Sequence, residues 1–173
     1  MSSSGGQLRL RPLSLQDEAA FRAAHDVMAA DGFAFGLEGF CRTTSWESYL
    51  EHLAAMEHGV GLEVGRVPAT FLVADVAGQL VGRSSIRHRL TGKLRHDGGH
   101  IGYGVLPAYR RRGYATAILS DSLEIARSLG IKRCLVTCDE SNVASAAVIE
   151  RCGGELDWTG PVGNGRAIRR YWI

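Results

Sequence analysis

The sequence has few cysteines, few prolines and no apolar run long enough to span a membrane. Its four cysteines, Cys41, Cys134, Cys138 and Cys152, form no C-x-x-C pair. No further ligands stand at zinc-site spacing, so we expect no metal site. Four prolines in 173 residues leave no proline-rich linker inside the chain. Cys134 and Cys138 share an apolar stretch, which predicts buried free thiols in a reducing compartment.

An excess of one sign of charge is also missing. The formal net charge is +2, which is too close to neutral for a general nucleic-acid-binding protein. The N-terminal segment MSSSGG has neither the charged nor the apolar region of a signal peptide. We therefore expect a cytoplasmic protein with a disordered tail at residues 1–6 and one domain over residues 7–173.

The hydrophobic pattern changes between strand and helix periods along the chain. Strands are predicted over residues 7–12, 69–76, 79–90, 100–105, 132–138, 155–159 and 167–173. Helices are predicted after the caps Ser14 and Thr44 and over residues 113–129 and 142–151, with a polar loop at 91–99. This order joins antiparallel strands to a β-α-β crossover, so a mixed sheet is expected.

Three consecutive arginines and a glycine stand where the third predicted long helix begins. Residues 109–119 read YRRRGYATAIL. The first amides of a helix have no partner inside the helix, and the helix dipole adds positive charge there. Gly113 lets an anion approach the backbone, and Arg110, Arg111 and Arg112 add charge. The stretch therefore predicts a cradle for a pyrophosphate.

The arginine stretch also has alternative interpretations. The stretch is neither a Walker A loop nor a G-x-G-x-x-G dinucleotide motif. A nucleic-acid patch would not explain why a glycine and a helix start fall at this point, and interleaved aromatic residues are lacking. A set of solvated arginines at the surface is the simplest alternative for the spacing taken alone.

The surroundings of the arginines resemble a known family. The pattern R-x-x-G-x-A at residues 110–115 follows a strand ending in Val105-Leu106-Pro107 and precedes a helix, a buried strand and the stretch at 142–154. This combination resembles the GCN5-related N-acetyltransferase (GNAT) superfamily, whose hallmark is [QR]-x-x-G-x-[GA], and within it a bacterial branch of predicted acetyltransferases. The resemblance implies an α+β fold: a mixed, mostly antiparallel sheet of six or seven strands flanked by about four helices.

The resemblance also implies a site for acetyl-CoA. Backbone groups of Tyr103, Gly104 and Val105 would pair with the pantetheine arm and hold the thioester carbonyl, and the amides at 111–116 would take the pyrophosphate. Asn142 would contact the cofactor, although its place before a helix equally suits an N-cap. The implied cofactor-binding residues are Tyr103, Gly104, Val105, Arg110, Arg111, Arg112, Gly113, Tyr114, Ala115, Thr116, Asn142 and Ser145.

The sequence departs from the family at one expected catalytic position. Many members carry a tyrosine seven residues after the asparagine, as proton donor to the leaving thiolate. Ile149 occupies that position here and has no proton to give. The thiolate must then be handled by water, by another side chain or without a dedicated acid, since a thiol is a reasonable leaving group near neutral pH.

The sequence offers several candidates for the general base. His100 stands near the start of the fourth strand, where some members have a glutamate, and its usual pKa suits base catalysis. The alternative is a strand-edge histidine that faces water. Glu38 is a weaker candidate, and His88 and His96 are weaker still. Four aromatic residues either line an acceptor pocket or belong to the core: Phe33, Phe35, Phe40 and Trp46.

These inferences together predict an acetyl-CoA-dependent N-acetyltransferase. Its acceptor would be a primary amine of a small molecule, an amino acid derivative or a peptide. A non-catalytic module of the same fold that binds acetyl-CoA for regulation is the alternative, which the missing tyrosine favours. We expect no nucleic-acid or membrane partner. The apolar C-terminal residues 171–173 permit a homodimer.

Overall fold

A computed structural model describes residues 6–173, so the disorder expected for residues 1–6 falls almost wholly outside the described part of the chain. The seven strands are β1 (Leu8–Arg11), β2 (Ala69–Val76), β3 (Gln79–Arg87), β4 (Ile101–Val105), β5 (Leu135–Asp139), β6 (Glu155–Pro161) and β7 (Ala167–Trp172). The five α-helices are α1 (Glu18–Ala30), α2 (Trp46–Glu57), α3 (Gly92–His96), α4 (Tyr114–Ser128) and α5 (Val143–Arg151). None of the helices within residues 6–173 is both long and apolar enough to cross a membrane.

The strands form one sheet in the order β1-β2-β3-β4-β5-β7-β6. The pair β4 and β5 is parallel and the other neighbours are antiparallel. The predicted mixed, mostly antiparallel sheet is therefore confirmed. One helix was not predicted: α3 lies in the polar stretch at 91–99, where the Thr91 hydroxyl accepts a hydrogen bond from the amide of Leu94 and begins a single turn.

The two faces of the sheet carry different helices. Alternate residues of a strand point to opposite faces, and on β2 the side chains of Phe71 and Val73 pack with α1 and α2. Leu72 instead packs with α4 and α5. We call these the α1 face and the α4 face. Cys134 and Cys138 are buried free thiols on the α4 face, as predicted.

The predicted aromatic residues belong to the core of the α1 face. Phe35 and Trp46 are buried, and Phe33 and Phe40 pack against them half-buried. The ring of Phe21 lies 5.4 Å from that of Phe35 and 5.2 Å from that of Trp46, measured between centroids. Burial of each of these rings contributes about 1.5–3 kcal/mol to the free energy of folding. The α1–α2 loop is thus held on the sheet by its own aromatic side chains.

The helix starts follow local capping rules. The Asp17 carboxylate accepts hydrogen bonds from the amide and hydroxyl of Ser14 and from Arg11, which lowers the pKa of Asp17 to about 2. Ser14 therefore begins the first helical segment as predicted. The cap predicted for the second helix is wrong by one residue: Ser45, and not Thr44, accepts a hydrogen bond from the amide of Ser48. The Thr44 hydroxyl instead accepts from the amide of Cys41.

The parallel strands β4 and β5 separate soon after they meet. Their register within the described residues pairs Ile101 with Val136. On the other side of β4, the amide of Leu106 donates to the Val81 carbonyl and the amide of Arg87 donates to the His100 carbonyl. Even-numbered residues of β4 therefore bond to β3, and the backbone groups of odd-numbered residues point toward β5. Beyond Ile101 these groups face the opening between the two strands.

His100 joins β4 to β5 at the point where the opening begins. Its amide donates to the Leu135 carbonyl at 2.7 Å, and its Nδ1 accepts from the Leu135 amide at 2.9 Å. The residue is only 7% exposed, so the alternative of a histidine facing water is wrong. Burial, with Arg95 and Arg87 nearby, lowers the pKa of His100 to about 4.

This geometry does not support His100 as the general base. A neutral imidazole has one free lone pair. Because Nδ1 accepts from Leu135, the proton of the neutral ring lies on Nε2, which can only donate. The lone pair that would take the proton of an amine is therefore already used to hold β5 against β4.

The pH dependence of stability tests this structural role. The pKa of His100 is about 4 in the folded protein and about 6.5 in an unfolded chain. As pH falls below 6.5, the unfolded chain binds the proton first, so the folded state loses stability until about pH 4. His100→Asn offers an amide oxygen as acceptor but does not titrate. Between pH 7 and pH 5 we expect the wild type to lose about 2 kcal/mol more unfolding free energy than this variant. Urea unfolding at both pH values measures the difference, and an equal loss in both proteins would contradict it.

Candidate active site

The start of α4 has the backbone geometry of an anion site. Gly113 precedes the helix with φ of 81°, and Arg111 has φ of 61°, a left-handed conformation that is unfavourable for a residue with a side chain. Successive turns of this kind direct neighbouring amides toward one point. A Cβ at Gly113 would meet no atom within 4 Å. The glycine is therefore not required by packing, and its open side leaves the amides accessible.

The amides that follow Gly113 have no partner inside the helix. The first intrahelical bond runs from the amide of Ala117 to the Gly113 carbonyl, at 3.1 Å. The amides of Tyr114, Ala115 and Thr116 precede it, and no side chain of residues 6–173 caps them. Free amides and the helix dipole together favour a bound anion.

The three arginines have different surroundings. The guanidinium of Arg110 donates to the Val105 carbonyl at 3.1 Å and pairs with Asp31 at 2.6 Å. Arg110 thus joins the end of β4 to the end of α1. Arg112 lies over the Tyr109 ring at 5.6 Å, and both Arg111 and Arg112 are exposed beside the free amides. The predicted cradle therefore has three exposed cations, of which Arg110 is engaged with the end of β4 and with Asp31.

The opening between β4 and β5 offers backbone donors and an acceptor. Both amide and carbonyl of Tyr103 and the amide of Val105 point into it, whereas the Val105 carbonyl is taken by Arg110. Gly104 bonds to β3 instead, so its predicted backbone pairing with pantetheine does not fit the register. Gly104 matters for space: a methyl group there would lie 2.7 Å from the Phe33 ring.

The side chain of Tyr103 spans the opening. Its hydroxyl lies 2.9 Å from the Ser145 hydroxyl, which joins β4 to α5. Burial raises the pKa of Tyr103 to about 12, so the phenol keeps its proton at neutral pH. Sequence reasoning used only the backbone of Tyr103. Ile149 could have directed attention to the Tyr103 side chain. It stands where many members of the family have a tyrosine, so a different hydroxyl must reach the opening if one acts there.

Asn142 is the N-cap of α5, the alternative stated for it. Its Oδ1 accepts a hydrogen bond from the Ser145 amide at 3.0 Å. The side chain is exposed, and the cap uses only the oxygen. The Nδ2 group can therefore still donate to a ligand.

The remaining base candidates lie apart from the opening or are already bonded. Glu38 is exposed in the α1–α2 loop and forms an ion pair with Arg66. His88 bonds to the Thr70 hydroxyl at 2.9 Å, and the His96 ring packs 5.7 Å from that of Trp158. The base role of Glu38 remains a prediction.

Sequence reasoning missed one buried cation near the site. Arg83 lies on β3 and projects onto the α1 face, where its guanidinium donates to the Gly102 carbonyl at 3.0 Å. It is 6% exposed. No local signal marked it, because β3 (QLVGRSSIR) mixes polar and apolar residues along its length.

Comparison with known proteins places this geometry in context. The family model described as acetyltransferase (GNAT) domain matches residues 7–155. Among curated proteins, none matches the chain by sequence. RimJ of Mycobacterium smegmatis, solved with CoA-disulfide, is 24% identical over 97% of this chain and 82% of its own, with a TM-score of 0.72.

Two further solved structures are similar over nearly their whole length. Spermidine N-acetyltransferase of Vibrio cholerae, with CoA and spermine, is 16% identical over 96% of this chain and 95% of its own (TM-score 0.66). YncA of Salmonella typhimurium, described as a putative acetyltransferase with its cofactor acetyl-CoA, is 18% identical over 96% and 92% (TM-score 0.65). At such identities these structures show the fold alone. The family match over residues 7–155, on a chain with this sheet and helix start, shows that the protein belongs to the GNAT acetyltransferase family.

Proposed function

We propose that the protein is an acetyl-CoA-dependent N-acetyltransferase that acts on a primary amine. The observation that carries the proposal is the uncapped start of α4 beside the opening between β4 and β5. The structures similar in fold include one described with acetyl-CoA and one of a spermidine N-acetyltransferase with CoA and spermine. Acetyl-CoA would supply an acetyl thioester at the opening.

Residues of this chain suit each part of that cofactor. The amides at the start of α4 would hold the pyrophosphate, with the exposed Arg111 and Arg112 beside it. The amide and carbonyl of Tyr103 would continue the hydrogen bonding of β4 onto the pantetheine arm. The Nδ2 group of Asn142 is exposed near the start of α5 and would donate to the same arm.

Two donors in the opening fit the charges that acyl transfer develops. The Val105 amide would donate to the carbonyl oxygen as it becomes negative. The Tyr103 hydroxyl, accepting a hydrogen bond from the Ser145 hydroxyl, would donate to the departing thiolate sulfur, the role left open by Ile149. Because the pKa of Tyr103 is about 12, the phenol acts as a hydrogen-bond donor, and water can supply the proton.

The amine must lose a proton to attack, and Glu38 is the candidate base. Its carboxylate is exposed and forms an ion pair with Arg66. Glu38 lies in the loop that covers the α1 face, opposite the helices that frame the cofactor cradle. An amine arriving on that face would reach it directly or through water.

An amine panel with acetyl-CoA tests the function. We expect release of free CoA thiol that depends on the amine, followed with a thiol reagent, together with the acetylated amine by mass spectrometry. Calorimetric binding of acetyl-CoA runs in parallel. Binding without thiol release on any amine would support the non-catalytic module instead. Absence of binding would contradict the cradle itself.

Gly113→Asp tests the cradle. An aspartate tolerates the left-handed backbone, and its carboxylate would repel the pyrophosphate at the free amides. We expect acetyl-CoA affinity to fall about 100-fold, or roughly 2.7 kcal/mol, by calorimetry. Gly130→Asp is the matched control, because Gly130 has φ of 84° after the other end of α4 and equally open space.

The expected pattern is specific to the diphosphate. Gly130→Asp should bind acetyl-CoA as the wild type does, and acetyl-pantetheine, which lacks the diphosphate, should bind Gly113→Asp unchanged. Equal weakening in the two glycine variants, or unchanged acetyl-CoA affinity in Gly113→Asp, would refute the cradle.

Tyr103→Phe tests the phenol. The change removes one hydroxyl and keeps the ring, so we expect kcat to fall about tenfold, or roughly 1.4 kcal/mol, with KM for acetyl-CoA within about twofold. The loss is modest because a thiol leaves readily near neutral pH. Tyr171→Phe is the control, since Tyr171 lies in the same core and its hydroxyl also bonds to a side chain, donating to Glu150 at 3.0 Å. An unaltered kcat in Tyr103→Phe would exclude the role.

A further inference from the structure

Arg83 is a buried cation with no acidic partner among residues 6–173. Its guanidinium donates to three neutral oxygens: the Ser85 hydroxyl at 3.1 Å, the Gly102 carbonyl at 3.0 Å and the Ala34 carbonyl at 2.8 Å. No carboxylate in the described part of the chain pairs with it. Its Nε is buried and has no hydrogen-bond partner among residues 6–173. The side chain thus retains both an uncompensated charge and an unused donor.

Such an arrangement is costly unless something else completes it. A buried charge is normally paired, because removal from water costs several kcal/mol. Burial lowers the pKa of Arg83 to about 10, so the group stays charged at neutral pH. The rings of Phe33 and Phe71, at 4.6 Å and 6.0 Å from its Cζ, stabilise the cation in part. They cannot satisfy its Nε.

The position of Arg83 suggests that the substrate receiving the acetyl group completes it. Arg83 pairs with Gly104 on β4, and a methyl group on Gly102 would lie 3.6 Å from the Nη1 of Arg83. The guanidinium therefore lies on the α1 face of β4, beside the opening. The helix start that forms the cradle belongs to α4, on the other face. A substrate that meets the acyl group from the free side would come past Arg83.

Two further arginines lie on the α1 face, Arg87 with the charges of Glu38 and Asp97 nearby and Arg170 in an ion pair. Arg87 projects from β3 on the same side and donates to the carbonyls of Gly98 and Gly99 at 3.3 Å and 3.0 Å, again neutral oxygens. Across the opening, Arg170 on β7 pairs with Asp157, yet its Nε is also buried and without a partner in the described chain. Unused arginine donors thus lie on both sides of the opening.

We propose that the acceptor amine carries a carboxylate, which Arg83 binds with Arg87 beside it. The proposal rests on the proposed acetyltransferase function and narrows its substrate class to amino acids or to peptides whose first residue is acidic. A planar carboxylate matches the fork of a guanidinium. A purely structural Arg83, holding the α1–α2 loop through Ala34, is the competing explanation.

Matched acceptor pairs separate the two explanations. Each pair is one amine with a carboxylate and the same amine with a carboxamide, for example β-alanine and β-alaninamide. We expect the wild type to prefer the carboxylate. Arg83→Met should lower kcat/KM for the carboxylate form about 100-fold and for the amide less than about threefold, whereas a structural role would lower both equally. The change in this ratio from the wild type to Arg83→Met cancels the difference in amine basicity between the two forms.

Controls make each outcome decisive. Arg133→Met is matched, because Arg133 is exposed and lies over the Trp172 ring at 5.4 Å, away from Arg83; it should leave both rates unchanged. If Arg83→Met does not fold, Arg83→Lys takes its place. Lysine keeps the charge but not the fork of the guanidinium, so this variant should retain part of the preference for the carboxylate form. The preference of the wild type for the carboxylate form then decides.

Additional acceptor substrates identify which kind of molecule carries the anionic group. Peptides beginning with glutamate or glutamine tell whether the carboxylate belongs to a free amino acid or to a peptide, and an aminoalkylphosphonate distinguishes carboxylate from phosphate-like groups. Acetylation of amines without a preference for the anionic forms would overturn this proposal and leave the proposed function standing. Absence of acetylation on every amine would overturn both.

Discussion

The separation of β4 from β5 is the constraint on which the site depends. Strands in a parallel pair normally satisfy each other's backbone groups over their whole length. Here the register holds at Ile101 and Val136, and the chain then leaves the donors and acceptors of Tyr103 and the amide of Val105 facing an opening. A sheet that opens in this way needs a firm junction where the opening starts. His100 provides it, with both its amide and its imidazole bonded to Leu135.

The absence of side chains on one face of β4 links the two halves of the site. Gly102 and Gly104 present no Cβ to the α1 face, so the guanidinium of Arg83 and the ring of Phe33 lie directly on the strand. On the opposite face Tyr103 reaches across to Ser145. One short strand therefore carries an anion-compatible surface on one side and a hydroxyl pair on the other. The opening between them is where the two substrates of a transferase would meet.

The sequence predicted what depends on neighbouring residues. Strand and helix order follows from hydrophobic periodicity, and the cradle follows from a glycine and a helix start a few residues apart. The errors in local structure were small and local: the cap at Ser45 in place of Thr44, and the turn of α3 in a polar stretch. Both depend on which nearby amide a hydroxyl accepts from: Thr44 bonds to the amide of Cys41, and Thr91 bonds to that of Leu94.

Contacts between distant residues could not be predicted in this way. The role of His100 depends on Leu135, on another strand, and that of Tyr103 depends on Ser145, on a helix beyond that strand. Arg83 reads as an ordinary charge on a strand until the register with β4 and the α1–α2 loop bury it. In each case the deciding partner lies on another element of the fold, and the sequence offered only an indirect signal, Ile149, for Tyr103.

Polar groups that lack a partner among residues 6–173 lie beside the opening on both faces of the sheet. Within the described part of the chain, the first amides of α4 are uncapped and the buried guanidinium of Arg83 on β3 has no acidic partner. A cap residue at Gly113 or a carboxylate beside Arg83 would add stability, since caps contribute about 1 kcal/mol and buried charges favour partners. Natural proteins retain such local deficits where activity needs them. The diphosphate of a cofactor and the carboxylate of an acceptor are anions that would complete the two places, one from each face of the sheet, and that would bring the thioester and the amine to the opening of β4.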